Sequence, residues 1–370
     1  MNHLDHRAPT TDHVTLRALV LYFARLGTTG FGGPIALAGA MQRDLVDERG
    51  WFTRDEYLRG LALAQLAPGP LAAQLAIYLG WARGGVLGAT LVGLAFVLPS
   101  LLMVLALSAL YVRFAAVSSF IAGAFYGIGA AVIAVITRSA YKLVKMTLAR
   151  DEFLWAIFIV NAIATAITER ELLTLIVASG LIIVAIRVAD RRRATAASTL
   201  LAQIFWFFAK AGAFVFGSGL AIVPFLYGGV VEQYHWLNDR QFLDAVAVAM
   251  ITPGPVVITV AFIGYLVAGV PGALVAALGV FAPCYLFVII PAPYYHRIAE
   301  NKTIRAFVDG VTAAATGAIA GAAFVLGKRA LIDITAIAIA LVTLLVMMRF
   351  KRVPEPVVIL AAGALGLLLS

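Results

Sequence analysis

Charge is what this chain has least of. Only 13% of its 370 residues are Asp, Glu, Lys or Arg, against about 25% in an ordinary globular protein, and no acidic residue occurs between Tyr57 and Arg150. A water-soluble fold is excluded, and with it a nucleic-acid partner, since no soluble basic domain exists to dock one. Cysteine occurs once: Cys284, beside Pro283 in an apolar run, can form no internal disulfide and reads as a small packing residue. His3, His6, His13, His235 and His296 make no His-Glu-x-x-His, and Cys-x-x-Cys is absent, so no metal site is expected. No cofactor is expected either. Gly30-Phe31-Gly32 follows no strand and has no small residue at the sixth position, which excludes a dinucleotide fingerprint. No nucleophile, acid/base pair or metal cluster marks catalytic residues, which argues against an enzyme. Met1 to His13 is polar, so no cleavable signal peptide is read.

What the chain has is hydrophobicity, at 62% of residues and a mean hydropathy of +0.97. Most of it lies in runs of the roughly 20 residues needed to cross a bilayer core about 30 Å thick. Membrane segments are expected near 14–41, 57–80, 84–110, 117–140, 153–168 and 170–187, and again near 200–230, 242–267, 269–292, 303–326, 331–348 and 353–369. The polar run Asp190-Arg191-Arg192-Arg193 separates them, giving a repeat over 1–189, a basic linker at 190–199 and a repeat over 200–370. The net charge of +9 is read first as loops held on the cytoplasmic side against anionic lipid.

The two halves repeat each other. Phe31-Gly32-Gly33-Pro34, Trp51 and Pro68-Gly69-Pro70 return as Phe216-Gly217-Ser218-Gly219, Trp236 and Pro253-Gly254-Pro255, each 185 positions later. A one-residue slip, placed near Gly84, then aligns Pro99 with Pro283. Interrupted helices at matching places in duplicated halves point to a transport site between repeats. Lys and Arg are richest in 138–150 and 187–193 of the first half, and in His296 to Arg305 and Arg349 to Arg352 of the second. Holding these inside puts 41–56 outside and its cognate 231–241 inside. The fold class expected is therefore all-α, a polytopic membrane protein of two homologous, inverted repeats with interrupted helices. Inversion requires that the 200–230 block or one short block not cross fully.

The interruptions carry the chemistry. Each proline lacks an N–H and pushes the residue before it out of helical geometry, so the 57–80 block must kink or break. Pro70, and Pro255 after it, suits the first position of a new half-helix whose free N–H groups form a partly positive end at mid-membrane depth, ready for an anion. The bland alternative is a packing kink. Gly32, Gly33 and Pro34 form a second break; Gly217 and Ser218 repeat it without the proline but with a hydroxyl. Arg25 and Lys210, also 185 apart, lie in apolar runs where a charge costs about 2.5–3.5 kcal/mol, so they either snorkel to the interface or face the substrate path. Gln65 and Gln74, matched by Met250 and Thr259, could line the site or join helices. Gly80, Gly84, Gly88, Gly317 and Gly321 have helix-packing spacing. Asp244, Asp309 and Asp333 fall near block ends, so no mid-membrane proton relay is expected.

Taken together, Phe31-Gly32-Gly33-Pro34, the Trp51 loop, Pro68-Gly69-Pro70 and their echoes resemble the chromate transporter family in its long, two-half form, over nearly the whole chain. The resemblance implies a multi-pass bacterial inner-membrane protein that exports chromate and confers resistance. The partners implied are chromate or a similar oxyanion and the lipid bilayer; a homodimer is left open. Transport of sulfate, which chromate mimics, or of another oxyanion remains an alternative, followed by a passive anion channel or a membrane-embedded enzyme.

Overall fold

The computed structural model describes residues 14–31, 33–114, 119–148, 152–168, 200–213, 222–294, 302–350 and 353–369. Gly32, Gly217, Ser218, the 170–187 block and the 190–199 linker lie outside the described residues, as does the Asp309 side chain. Everything regular that is described is helical. The first half runs α1 (Leu16–Thr29), α2 (Gly33–Gln42) with a π-turn at Arg43–Glu48, α3 (Arg54–Leu66), α4 (Leu71–Phe114), α5 (Ser119–Thr147) and α6 (Glu152–Thr168). The second runs α7 (Leu200–Ala213), α8 (Ile222–Tyr227) with a π-turn at Gly228–Gln233, α9 (Asp239–Ile251), a 3-10 turn (Val256–Ile258), α10 (Thr259–Ile289), α11 (Lys302–Ala330), α12 (Ile334–Arg349) and α13 (Glu355–Leu369).

The repeat extends to local devices. Thr53 caps α3 in a capping box with Glu56, and Asn238 caps α9 in a capping box with Gln241, 185 positions on in each case. Trp51 N–H donates to Leu45 O at 2.8 Å and Trp236 N–H to Val230 O at 2.8 Å, closing the two π-turns alike. α4 and α10 each reverse direction at one point: Gly84 and Gly85 (φ −146° and 57°) match Ala268 and Gly269 (φ −145° and 61°). Both are therefore hairpins, with arms 71–83 and 86–114 in α4 and 259–267 and 270–289 in α10. Gly80 lies against the Gly88 carbonyl, and Gly264 against that of Gly272, where no Cβ would fit. Gly84 thus belongs to a turn and not to a packing stripe, while Gly317 and Gly321 do pack, against the Phe158 and Ala162 carbonyls of α6.

The slip between repeats lies earlier than Gly84. Gln74 N–H donates to Pro70 O at 3.0 Å, four residues back, whereas Ile258 N–H donates to Pro255 O at 2.9 Å, three back. The second half drops its residue in the tighter 3-10 turn, so Gln74 corresponds to Ile258 and not to Thr259.

The breaks are tips and not kinks. Arg83 Nη1 is 3.0 Å from Glu56 Oε1, and Gly60 packs on the Tyr78 ring, so α3 and the 71–83 arm lie side by side, meeting at residues 67–70. The expected span at 57–80 is instead a re-entrant hairpin, whose 13-residue legs reach only about 20 Å. α1 and the α2 segment form another, joined by Tyr22 to Asp44, and Tyr57 of α3 donates to the Ala38 carbonyl of α2. In the second half, Phe207 stacks on Phe225 and touches Gly229, while α9 and the 259–267 arm both reach Tyr111. The 57–80 and 242–267 blocks therefore fold back on themselves, α1 packs against the α2 segment within 14–41, and α7 packs against α8 within 200–230.

Two long arms cross the interface in opposite directions. Just after the first turn, Thr90 and Val86 meet the Tyr285 hydroxyl; 25 positions beyond Val86, Tyr111 meets Phe262 and Asp244. The Trp51 loop, whose carbonyl binds Arg83, thus sits at one end of the 86–114 arm, and the start of α9 at the other, about 37 Å away. The halves are inverted. Each hydrophobic core is completed by the other half: Val288 and Ala292 enter the first, and Leu101, Val104 and Ile128 to Ile136 the second. α4, α5 and α10 are the three described helices long and apolar enough to cross a membrane.

Candidate functional site

Two tips can be followed atom by atom. Ala67 (φ −85°, ψ 138°) and Thr252 (φ −87°, ψ 133°) are extended because each precedes a proline. Gly69 (φ 144°) and Gly254 (φ 101°) then take backbone angles that side chains rarely tolerate. Pro70 and Pro255 turn the chain into α4 and the 3-10 turn, as their fixed φ favours. The first amides of both helices have no partner inside the helix, and Pro70, Leu71, Ala72, Ala73 and Val257 around them are buried.

Each tip is built against the opposite half. Gly254 N–H donates to Gly30 O at 2.8 Å, joining the second-half tip to the first break of the other half. Gly254 also presses on Ser100, which is fully buried and donates to Gly27 O at 3.3 Å. Its cognate, Cys284, lies against Gly69, whose added Cβ would be 3.1 Å from Cys284 Sγ. Cys284 donates to Val280 O at 3.0 Å and approaches Gly212 O at 3.6 Å. Ser100 stands midway along the 86–114 arm, so the Gly254 tip lies halfway along it. The sequence offered one clue to this pair: both follow the aligned prolines Pro99 and Pro283.

The remaining candidates fall in different places. Gln74 is fully buried; Nε2 donates to Pro68 O at 2.7 Å and latches the first tip, while Oε1 has no partner among the described residues. Ile258 supplies no such latch to the second tip. Gln65 is exposed and lines a groove of about 400 Å³ along α3 with Asp55, Leu58, Arg59, Leu61 and Ala62, two residues short of the tip. Pro34 is half-buried in the first turn of α2, which opens at Gly33. Pro68 is half-buried and Pro253 buried. Arg25 and Lys210 are exposed, without an ion pair among the described residues; Arg25 lies five residues before Gly30, about 7 Å along α1. A larger cavity, about 690 Å³ between α5 and α11, is almost wholly apolar and is lined by none of these residues.

At the mouth of the first hairpin, Arg83 also donates to Trp51 O at 2.6 Å and lies over the Phe52 ring at 4.1 Å. Burial pushes the Glu56 carboxyl up, but hydrogen bonds from Arg83 and Thr53, with the guanidinium charge, hold it below the ordinary range. Among the described residues no group of His, Cys, Asp and Glu could hold a metal ion.

Paired re-entrant tips with matching motifs meet the family pattern, and the comparisons decide it. The model of the chromate transporter family matches residues 17–184 and again 202–367. The chain belongs to the chromate transporter family. It is 56% identical over 382 residues to a protein of Cupriavidus metallidurans named chromate transport protein, covering 98% of this chain and 94% of that one. It is 52% identical over 376 residues to a probable chromate transport protein of Synechococcus elongatus, covering 96% and 95%. An uncharacterized transporter of Bacillus subtilis, YwrA, is 30% identical over 154 residues, which is 84% of its own length but 40% of this chain. No solved structure matches.

Proposed function

We propose that this chain exports chromate across the bacterial cytoplasmic membrane and so confers resistance. The observation that carries the reading is the junction of Gly254 N–H with Gly30 O, where the second-half tip, which opens a helix, meets the first-half break beside Ser100, while the cognate tip at Gly69 lies against Cys284 of the other half. Free amides there would take the place of water around a dianion. Pro68, Gly69, Pro70, Pro253, Gly254 and Pro255 shape the cradle, with Gly32, Gly33, Pro34, Gly217 and Ser218 at the neighbouring breaks. Gln65 stands at the approach, and Arg25 and Lys210 draw the anion in.

The names of the relatives support chromate as the substrate, and loop charge supports the Trp236 end as the cytoplasmic one. Export fits the energetics: a dianion leaving a negative interior gains about 2 × 2.3 kcal/mol per 100 mV. We read residues 1–189 and 200–370 as the two repeats and 190–199 as their linker, and one chain supplies both sides of the cradle without a second copy. The chemistry is transport and not catalysis.

Chromate uptake into inverted vesicles under an inside-positive potential should be saturable and require this chain. Backbone amides read charge and size more than the central atom, which favours sulfate as the second reading. Excess sulfate that competes as well as unlabelled chromate would establish a general oxyanion carrier, and a rate that never saturates would establish a channel.

A further inference from the structure

Asp244 corresponds to Arg59 in the repeat, and the two halves treat that position in opposite ways. Arg59 lines the open groove along α3, whereas Asp244 is 4% exposed on α9. The Asp244 carboxylate accepts a hydrogen bond from Tyr111 of the other half at 2.6 Å. No ion pair involves it among the described residues; Arg240, one turn earlier on α9, acts on it from farther away. A buried carboxyl held by one neutral hydroxyl is costly while charged and stable once it carries a proton.

The surrounding elements leave it that freedom. On α10 and the 3-10 turn there is no Lys, Arg, Asp, Glu or His. Arg138 of α5 and Glu355 of α13 pair with each other at 3.2 Å, with Lys142 beside them, and Arg138 is 13 residues along α5 from Phe125, which packs on Tyr111. Lys145 lies farther along α5. Arg113 follows Tyr111 on the 86–114 arm, Glu232 belongs to the π-turn, and Asp333 caps α12 near this end, held by Tyr126. The Tyr111 to Asp244 bond joins the two inverted halves at the end opposite the Trp51 loop, eight residues before Thr252 enters the second tip.

We propose that Asp244 is a proton-binding site that couples proton movement to anion transport, taking up a proton when the Tyr111 bond opens and releasing it on the opposite side of the cycle. This rests on the chain being an oxyanion carrier. The proton enters as the anion leaves, so nothing is oxidised or reduced.

The test uses the full-length protein in liposomes with an internal pH dye and the membrane potential clamped at zero. A chromate gradient should drive proton movement through the wild-type protein, and a pH gradient should drive chromate movement. In Asp244→Asn, chromate-driven proton flux should fall at least tenfold while potential-driven chromate transport persists with a flattened pH profile. Asp244→Glu should keep the coupling, and Tyr111→Phe should keep it with a displaced pH optimum. Wild-type protein that moves chromate under a potential but never in response to a pH gradient overturns the proposal, whatever the variants do. So does an undiminished proton-to-chromate ratio in Asp244→Asn. Absence of chromate movement under any gradient would instead sink the carrier reading itself.

Discussion

Gln74 has two unequal ends. Its Nε2 latches the first tip through Pro68 O, while its Oε1 is buried without a donor among the described residues. Losing the latch costs about 0.5–1.5 kcal/mol, and losing the orphaned oxygen returns about 1–3 kcal/mol. Gln74→Leu should therefore leave the fold between about 0.5 kcal/mol less and about 2.5 kcal/mol more stable than wild type, yet slow chromate transport several-fold by loosening the tip. Equal transport rates per molecule would show that the latch is dispensable. Arg25 and Lys210 were conspicuous in the sequence as charges in apolar runs, and both are exposed; in the proposed function they stand on the approach to the cradle. Arg25→Gln and Lys210→Gln should each raise the apparent chromate Km about tenfold, with Arg25→Lys recovering part of the loss, because a point charge lacks the guanidinium fork. An unchanged Km in both Gln variants would leave the two as membrane anchors.

At the scale of the element, the re-entrant hairpin alters what a proline substitution can do. Pro68→Ala or Pro70→Ala cannot straighten a helix whose legs are tied by Arg83, Glu56 and Tyr78. The expected effect is transport reduced several-fold with expression preserved. Gly69→Ala should be worse, because the left-handed φ and the approach of Cys284 both oppose a side chain. Transport in Gly69→Ala at the level of Pro68→Ala or above would contradict the tip geometry. The tie at the mouth is open to titration. The lowered Glu56 carboxyl contributes stability above its ordinary value near pH 4.5 and loses it as pH falls through the lowered one. Solubilised Glu56→Gln should melt roughly 1–3 °C below wild type at pH 7.5, and the gap should close in acid. That the helix stops at Pro68 was legible from residue chemistry alone. Its return to the same side was not, because Pro-Gly-Pro stops a helix whichever way the chain then goes, and the choice is made by contacts 18 and 27 residues apart.

For the whole molecule, inversion was legible because loop charge and a 185-residue repeat are both properties of the letters. The partnership between halves was hidden: Asp244 looks peripheral in sequence and is buried by residues more than 100 positions away. The Ser100 and Cys284 contacts are equally non-local. In a Cys284→Ala background, single cysteines in the 41–56 and 231–241 loops should differ in reactivity, with an impermeant reagent reaching the first from outside and the second only after the membrane is opened. Labelling of both or neither in intact cells would refute the inverted arrangement.

The exchanged contacts at Gly69 and Gly254 also say what half of this chain could not do alone. A lone first half would offer its own tip no Cys284 arm, and the tip of the second half would have no Gly30 carbonyl to bind. Two identical halves inserted in the same direction would not help, since each tip requires an arm running the other way. Any half-length chain using this cradle would have to assemble from subunits placed in the membrane with opposite polarity. Fusion into one polypeptide with an intervening segment makes that polarity a matter of chain order, and it lets the two copies diverge, as Arg59 and Asp244 have, into unlike partners.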